Sequence, residues 1–124
     1  MYKDFLIDGR EQELTDLEQK VVEATKSVYD PEIPVPVWDL GLIYGIDVTP
    51  VDNPAEGEEG LHDVYVRMTL TAPNCPAAGT LPGEVEQKVN AIDEVRRAKV
   101  EIVFVPSFSM EMMSEDARLT LGFL

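Results

Sequence analysis

A two-layer, single-domain α+β fold with a small mixed sheet, in the order helix–strand–strand–helix–strand–helix, is what this chain predicts. Three observations lead there. The run Thr15-Asp16-Leu17-Glu18 is a capping-box signature that opens an amphipathic stretch. Two strand-like stretches, 43–48 and the cleanly alternating 63–71, follow it on either side of a turn-rich loop. A second helical stripe then leads into a third strand, and strand–helix–strand implies a parallel pair joined by a crossover. The 124 residues suit one domain with a core of its own. Residues 1–15 carry little pattern and read as an N-terminal arm; 16–124 form the domain.

In the first helix Leu17, Val21, Ala24 and Val28 recur at helical spacing, with Glu18, Lys20, Glu23 and Lys26 off that face. It ends near Tyr29, because the residue before Pro31 is pushed out of helical geometry. Residues 30–36 hold three prolines and are therefore a stiff extended loop on which Asp30 and Glu32 are pinned. Gly41 marks a turn or a close backbone approach before strand one. The loop at 49–62 is polar, acidic and longer than a tight hairpin turn, and mobility is expected of it. In strand two Val64, Val66, Met68 and Leu70 share one face; Tyr65, Arg67, Thr69 and Thr71 share the other.

The second helix starts at Thr80-Leu81-Pro82, where proline is tolerated only because it lies in the first turn. Leu81, Val85, Val89 and Ile92 form its apolar stripe, 93–98 reads as a connection, and strand three occupies 99–105 before Pro106 stops it. An apolar tail with Phe108, Met110, Met112 and Met113 follows, read as core packing, as a lid or as a docking surface. Ser114 caps a last short helix that Gly122 ends.

Composition narrows the function classes. A net charge of −14 opposes binding to nucleic acid or to an anionic membrane face, and suits solubility or a basic partner. One cysteine allows no intrachain disulfide and points to a reducing compartment. With neither a signal-type N-terminus nor an apolar run of membrane length, the cytoplasm is the expected location.

That cysteine, Cys75, lies between Pro73 and Pro76, just ahead of the second helix. Free N–H groups at a helix start favour a thiolate, which is a nucleophile and a soft metal ligand. A lone cysteine is also among the residue types that most often simply pack, and spacing alone favours the packed reading. No Cys-x-x-Cys exists, and the single histidine, His62, ends a loop and reads as solvated. A self-contained metal site is thus unavailable, and a cysteine hydrolase lacks a placed base. Cys75 could serve as one transient ligand for iron, a cluster or a persulfide, the others coming from a second subunit or a partner. Asp30, Glu32 and Asp39 offer hard oxygen ligands nearby in sequence. Asp30 reads rather as an Asx turn before Pro31, and for Asp39 turn and ligand both stand. Thr71 is spaced to hydrogen-bond the cysteine loop.

Asp30-Pro31-Glu32-Ile33-Pro34-Val35, Asp39-Leu40-Gly41-Leu42-Ile43-Tyr44, Met68-Thr69-Leu70-Thr71-Ala72-Pro73-Asn74-Cys75-Pro76 and the tail Met112-Met113-Ser114-Glu115-Asp116-Ala117-Arg118 with Leu121-Gly122 appear in this order. Over residues 16–124 the chain resembles the SufT/PaaD-type family of iron–sulfur assembly proteins. The resemblance implies the α+β fold of iron–sulfur cluster assembly domains and a non-enzymatic accessory role in assembling clusters or passing them to client apo-proteins. It implies that Cys75 is the functional thiol, with Asp39 and Thr71 in matching motif positions. The expected partners are the assembly machinery, the clients and a second copy of the chain. Two alternatives stand beside this: an adaptor whose cysteine is structural, and a PaaD-like subunit assisting an aromatic-ring oxygenase complex. The chain departs from the family at the long 49–62 loop and at Pro106-Ser107-Phe108, where the family carries Pro-Trp.

Overall fold

The computed structural model describes residues 2–5, 13–29, 34–70 and 80–122. Strands β1 (Tyr2–Asp4), β2 (Ile43–Pro50), β3 (His62–Met68) and β4 (Val95–Ile102) form one sheet in the order β1-β2-β3-β4. The pairs β1–β2 and β2–β3 are antiparallel, whereas β3 and β4 run parallel, joined through helix α2 (Leu81–Asn90). Helix α1 (Asp16–Lys26) precedes β2, and a 3-10 turn (Met110–Met112) and helix α3 (Glu115–Thr120) follow β4. The α+β mixed-sheet prediction therefore holds, with one strand more than expected. That strand is three residues long, too short for alternation to show in the sequence. It is stitched in by Phe5, whose N–H donates to the Tyr44 carbonyl at 2.8 Å and whose buried ring meets Trp38 edge-on at 5.0 Å.

The core lies on one face of the sheet. Ile46, Val64, Val66, Met68 and Ala98 point into it and meet Val21 and Val22 of α1 and Leu81, Val85 and Val89 of α2. The alternate strand positions, Asp47, Asp63, Tyr65, Arg67, Arg97 and Lys99, are half-buried or exposed, so the helices form a single layer on the apolar face. The predicted caps are in place: Thr15 accepts from the Glu18 N–H while the Glu18 carboxylate accepts from the Thr15 N–H, and Ser114 accepts from Ala117. α3 closes at Gly122, whose φ of +81° suits a helix stop.

Strand three was expected at 99–105 and is found at Val95–Ile102. The reason is a β-bulge. His62 pairs with Val95 but Asp63 pairs with Arg97, leaving Arg96 as the extra residue. Val95 and Ala98 both point inward although three positions apart, which erases the period-two signal at the strand's start. The bulge aims Arg96 outward, where Nε and Nη2 meet the two Asp63 oxygens at 3.0 and 2.6 Å and Nη1 reaches Glu58 at 3.4 Å. This pair holds the Asp63 carboxyl below its ordinary pKa and raises that of the guanidinium. It also ties the 49–62 loop, expected to be mobile, to the sheet. That loop carries further hydrogen bonds of its own, Val51 N–H to Leu61 O and Ala55 N–H to the Glu58 carboxylate.

Candidate functional site

The described parts of the predicted motifs, residues 39–44, 68–70 and 112–118, meet at one end of the sheet, where β3 and β4 finish and β2 begins. Thr69, just past β3, donates its N–H to Leu42 O at 2.8 Å, and Val103, just past β4, donates to Met68 O at 2.9 Å. Leu70 is buried, and the chain re-enters at Thr80 and the fully buried Leu81. Cys75, Thr71, Asp30 and Glu32 lie outside the described residues, whereas Asp39 is described.

Asp39 sits in a tight coil that the prolines before it introduce: Leu40 N–H donates to Pro36 O, Gly41 N–H to Trp38 O and Leu42 N–H to Val37 O. Its carbonyl accepts from the N–H of Ser114 at 2.8 Å, so it anchors the cap of α3. Two residues on, Gly41 takes φ +80°, and a Cβ there would lie 2.2 Å from the Met112 carbonyl oxygen and 2.6 Å from its carbon. Both readings of Gly41, turn and close approach, hold at once. Only a residue without a side chain lets the methionine tail lie against this coil.

Tyr44 completes the junction. Ile43 pairs with Met68 and Gly45 with Arg67, so Tyr44 is the extra residue of a second bulge. A bulge re-aims one side chain. With it Ile43 joins the core, although alternation from Ile46 would turn Ile43 outward, and the Tyr44 phenol is fully buried, its hydroxyl donating to Pro106 O at 2.7 Å with Met112 Sδ at 3.5 Å. Burial pushes the phenol above its ordinary pKa, and the Thr69 hydroxyl acts in the opposite direction. Thr69 was expected on the solvated face and is instead 1% exposed. Its Oγ1 lies close enough to Tyr44 to act on it electrostatically, yet makes no well-formed hydrogen bond among the described residues.

Core packing is the expected role of the tail that the described residues bear out. Met113 is buried in the core and Phe108 packs against it, while Met112 lies under Tyr44. Sequence reading missed Tyr44 and Thr69 as framing residues, although both stand inside the motifs. Tyr44 is the extra residue of a bulge, which no local pattern announces.

His62 is the first residue of β3, not a solvated loop residue. Its N–H donates to Glu94 O, and its Nδ1 is buried with no partner among the described residues, beside the start of α1, where Thr15, Glu18, Val48 and Pro50 line a depression of about 450 Å³. Six residue steps along β3 separate it from Met68, roughly 20 Å at about 3.3 Å per residue. The histidine and the cysteine segment thus attach to opposite ends of β3. Among the described residues no three His, Cys, Asp or Glu side chains are grouped to hold a metal ion, and no helix is long and apolar enough to cross a membrane.

Comparison with known proteins agrees with this geometry. Residues 18–102 match the family described as iron-sulfur cluster assembly protein. A Porphyromonas gingivalis protein named Fe-S protein maturation auxiliary factor is 46% identical over 112 residues, covering 90% of this chain and 97% of the relative. The Staphylococcus aureus Fe-S protein maturation auxiliary factor SufT is 33% identical over 95 residues, covering 77% of this chain and 97% of the relative. The crystal structure of a domain of unknown function from Bacillus anthracis superposes with a TM-score of 0.70 at 32% identity, covering 87% of this chain and 93% of that one. With the family match spanning more than half its length, and the described parts of its motif segments meeting at one end of the sheet, the chain belongs to the iron-sulfur cluster assembly protein family.

Proposed function

We propose that this chain is an accessory factor that helps assemble iron–sulfur clusters or pass them to client apo-proteins in the cytoplasm, with Cys75 as a transient ligand. The observation that carries the reading is the 46% identity to a maturation auxiliary factor along nearly the whole of both chains. The cluster, iron or persulfide is cargo, not a resident group. A thiolate is a soft ligand suited to iron–sulfur centres, and a chain with one cysteine supplies one such ligand. Tight retention needs several ligands; hand-over needs one that lets go. The remaining ligands come from the assembly machinery, the client or a second copy. No covalent turnover is assigned to the chain, since its single histidine stands at the far end of β3 from the cysteine segment.

Support for a role of Cys75 is chemical and positional. In sequence the 71–79 segment connects Leu70, just past β3, to the start of α2. Asp39 stands at the same end. The test is Cys75→Ala, assayed as the activity of iron–sulfur enzymes in cells and as iron and sulfide bound after anaerobic reconstitution. Enzyme activity falls and bound iron is lost if the reading is right. If the enzymes stay fully active in the variant, the cysteine is structural and the chain works as an adaptor. Alkylation separates these as well, because a low-pKa loop thiol reacts quickly with iodoacetamide and a packed thiol does not.

A further inference from the structure

Exposed large apolar side chains are not scattered over this molecule. Among the described residues they are Tyr29, Phe104, Val105 and Leu119, and none lies on α1, α2 or the open sheet face. All four belong to segments tied together at the end of the sheet that holds the candidate site. Tyr29 bridges to Pro36, and the Val37 N–H donates to Val28 O. Leu119 belongs to α3, whose cap hydrogen-bonds Asp39. Phe104 and Val105 are held between two anchors, the Val103 N–H on Met68 O at 2.9 Å and the Tyr44 hydroxyl on Pro106 O at 2.7 Å. Val105 is 86% exposed on this fixed bracket, an apolar side chain presented to water by a pinned backbone.

The surrounding charge says what can cover it. From Glu101 to Leu121 the chain carries four exposed acids, Glu101, Glu111, Glu115 and Asp116, against one half-buried cation, Arg118. A second copy would bring the same acids and a net charge of −14 to the contact. We infer that Phe104 and Val105 anchor a docking face for a protein segment that carries an apolar side chain flanked by lysine or arginine. Apolar burial supplies the affinity, while the acidic rim selects basic partners and speeds their approach. This deepens the maturation role proposed above by giving the chemistry of the client's docking segment, but the docking does not depend on Cys75.

The probe is a short fluorescein-labelled amphipathic peptide of leucine and lysine, measured by anisotropy at physiological salt, against a leucine–glutamate peptide and a serine–lysine peptide. The leucine–lysine peptide binds, and each control binds at least about tenfold more weakly. Val105→Asp makes the chain more acidic, so binding by charge alone would strengthen; the docking face predicts at least a tenfold loss. Because Val105 is exposed, this variant keeps the fold, as circular dichroism checks. Cys75→Ala binds like the parent protein, which separates failure of the docking face from failure of the thiol reading. Equal binding of the serine–lysine peptide, or undiminished binding to Val105→Asp, overturns the inference. So does a dimer in sedimentation that Val105→Asp dissociates and the peptide does not contact, since the occupant is then a second copy.

Discussion

Replacing Gly41 by alanine tests the junction on which the candidate site is built. Two costs are involved, and the structure separates them. The first is conformational: φ is +80°, where a residue with a Cβ loses roughly 1–2 kcal/mol. The second is steric. The new methyl would stand 2.2 Å from Met112 O and 2.8 Å from Met112 Cβ, about 1 Å inside ordinary contact, and the first of these is backbone. Met112 cannot yield easily, because its N–H is bonded to Ser109 O and the next turn is held by the Ser114 N–H on Asp39 O. Overpacking of this kind costs about 1–3 kcal/mol. The total, about 2–5 kcal/mol, compares with a stability of roughly 6–19 kcal/mol for a domain of this size. At the usual unfolding entropy per residue, this lowers Tm by about 8–19 °C. Urea titration followed by far-UV circular dichroism and by fluorescence, with Trp38 as the only tryptophan, measures it. Gly122→Ala is the control: its φ is +81° but a Cβ there meets nothing within 4 Å, so it carries only the conformational cost. If the two variants lose the same stability, the tail does not press on Gly41 and the reasoning about the junction is wrong.

Tyr44→Phe removes the hydroxyl on Pro106 O and is expected to cost about 0.5–1.5 kcal/mol at neutral pH. That cost shrinks in alkali. The folded phenol has a raised pKa, so its contribution is intact below the unfolded value and is lost as pH rises through the folded one; the parent protein should lose stability above the ordinary phenol range while the phenylalanine variant does not, as urea midpoints against pH will show. Thr69→Val replaces an unpartnered buried hydroxyl by a methyl and should leave stability unchanged or raise it by about 1 kcal/mol; a loss of more than about 1 kcal/mol would mean the hydroxyl is satisfied. Asp63→Asn should destabilise slightly at neutral pH. The folded carboxyl has a lowered pKa, so its contribution is present above the ordinary carboxylate range and fades as pH falls through the folded value, and thermal melts of the two proteins should converge in acid. Val66→Ala opens a cavity at a fully buried position in the middle of the sheet and should cost about 2–4 kcal/mol, readable as a shift in urea midpoint at unchanged slope.

Local rules carried the reading of this chain wherever a signal repeats within one element. The caps at Thr15 and Ser114, the stripe Leu81–Val85–Val89, the inward row Val64–Val66–Met68 and the glycine at 41 are all written in spacings of a few residues, and each is present. The ordered motifs likewise identified the family before any geometry was available. What tertiary structure alone decided are the places where two strands fall out of register. The bulge at Arg96 shifted a strand boundary and fastened a loop; the bulge at Tyr44 brought Ile43 into the core against the alternation set by Ile46, and Thr69, which alternation places toward solvent, is buried. A bulge is a property of a pair of strands, because one extra residue has meaning only against a partner that lacks it. The same holds for the site end: that Asp39, Tyr44, Thr69 and the methionine tail meet follows from hydrogen bonds such as Ser114 to Asp39 and Tyr44 to Pro106, between residues more than sixty positions apart. Spacing along the chain cannot encode such contacts, since what brings the partners together is burial of the core between them.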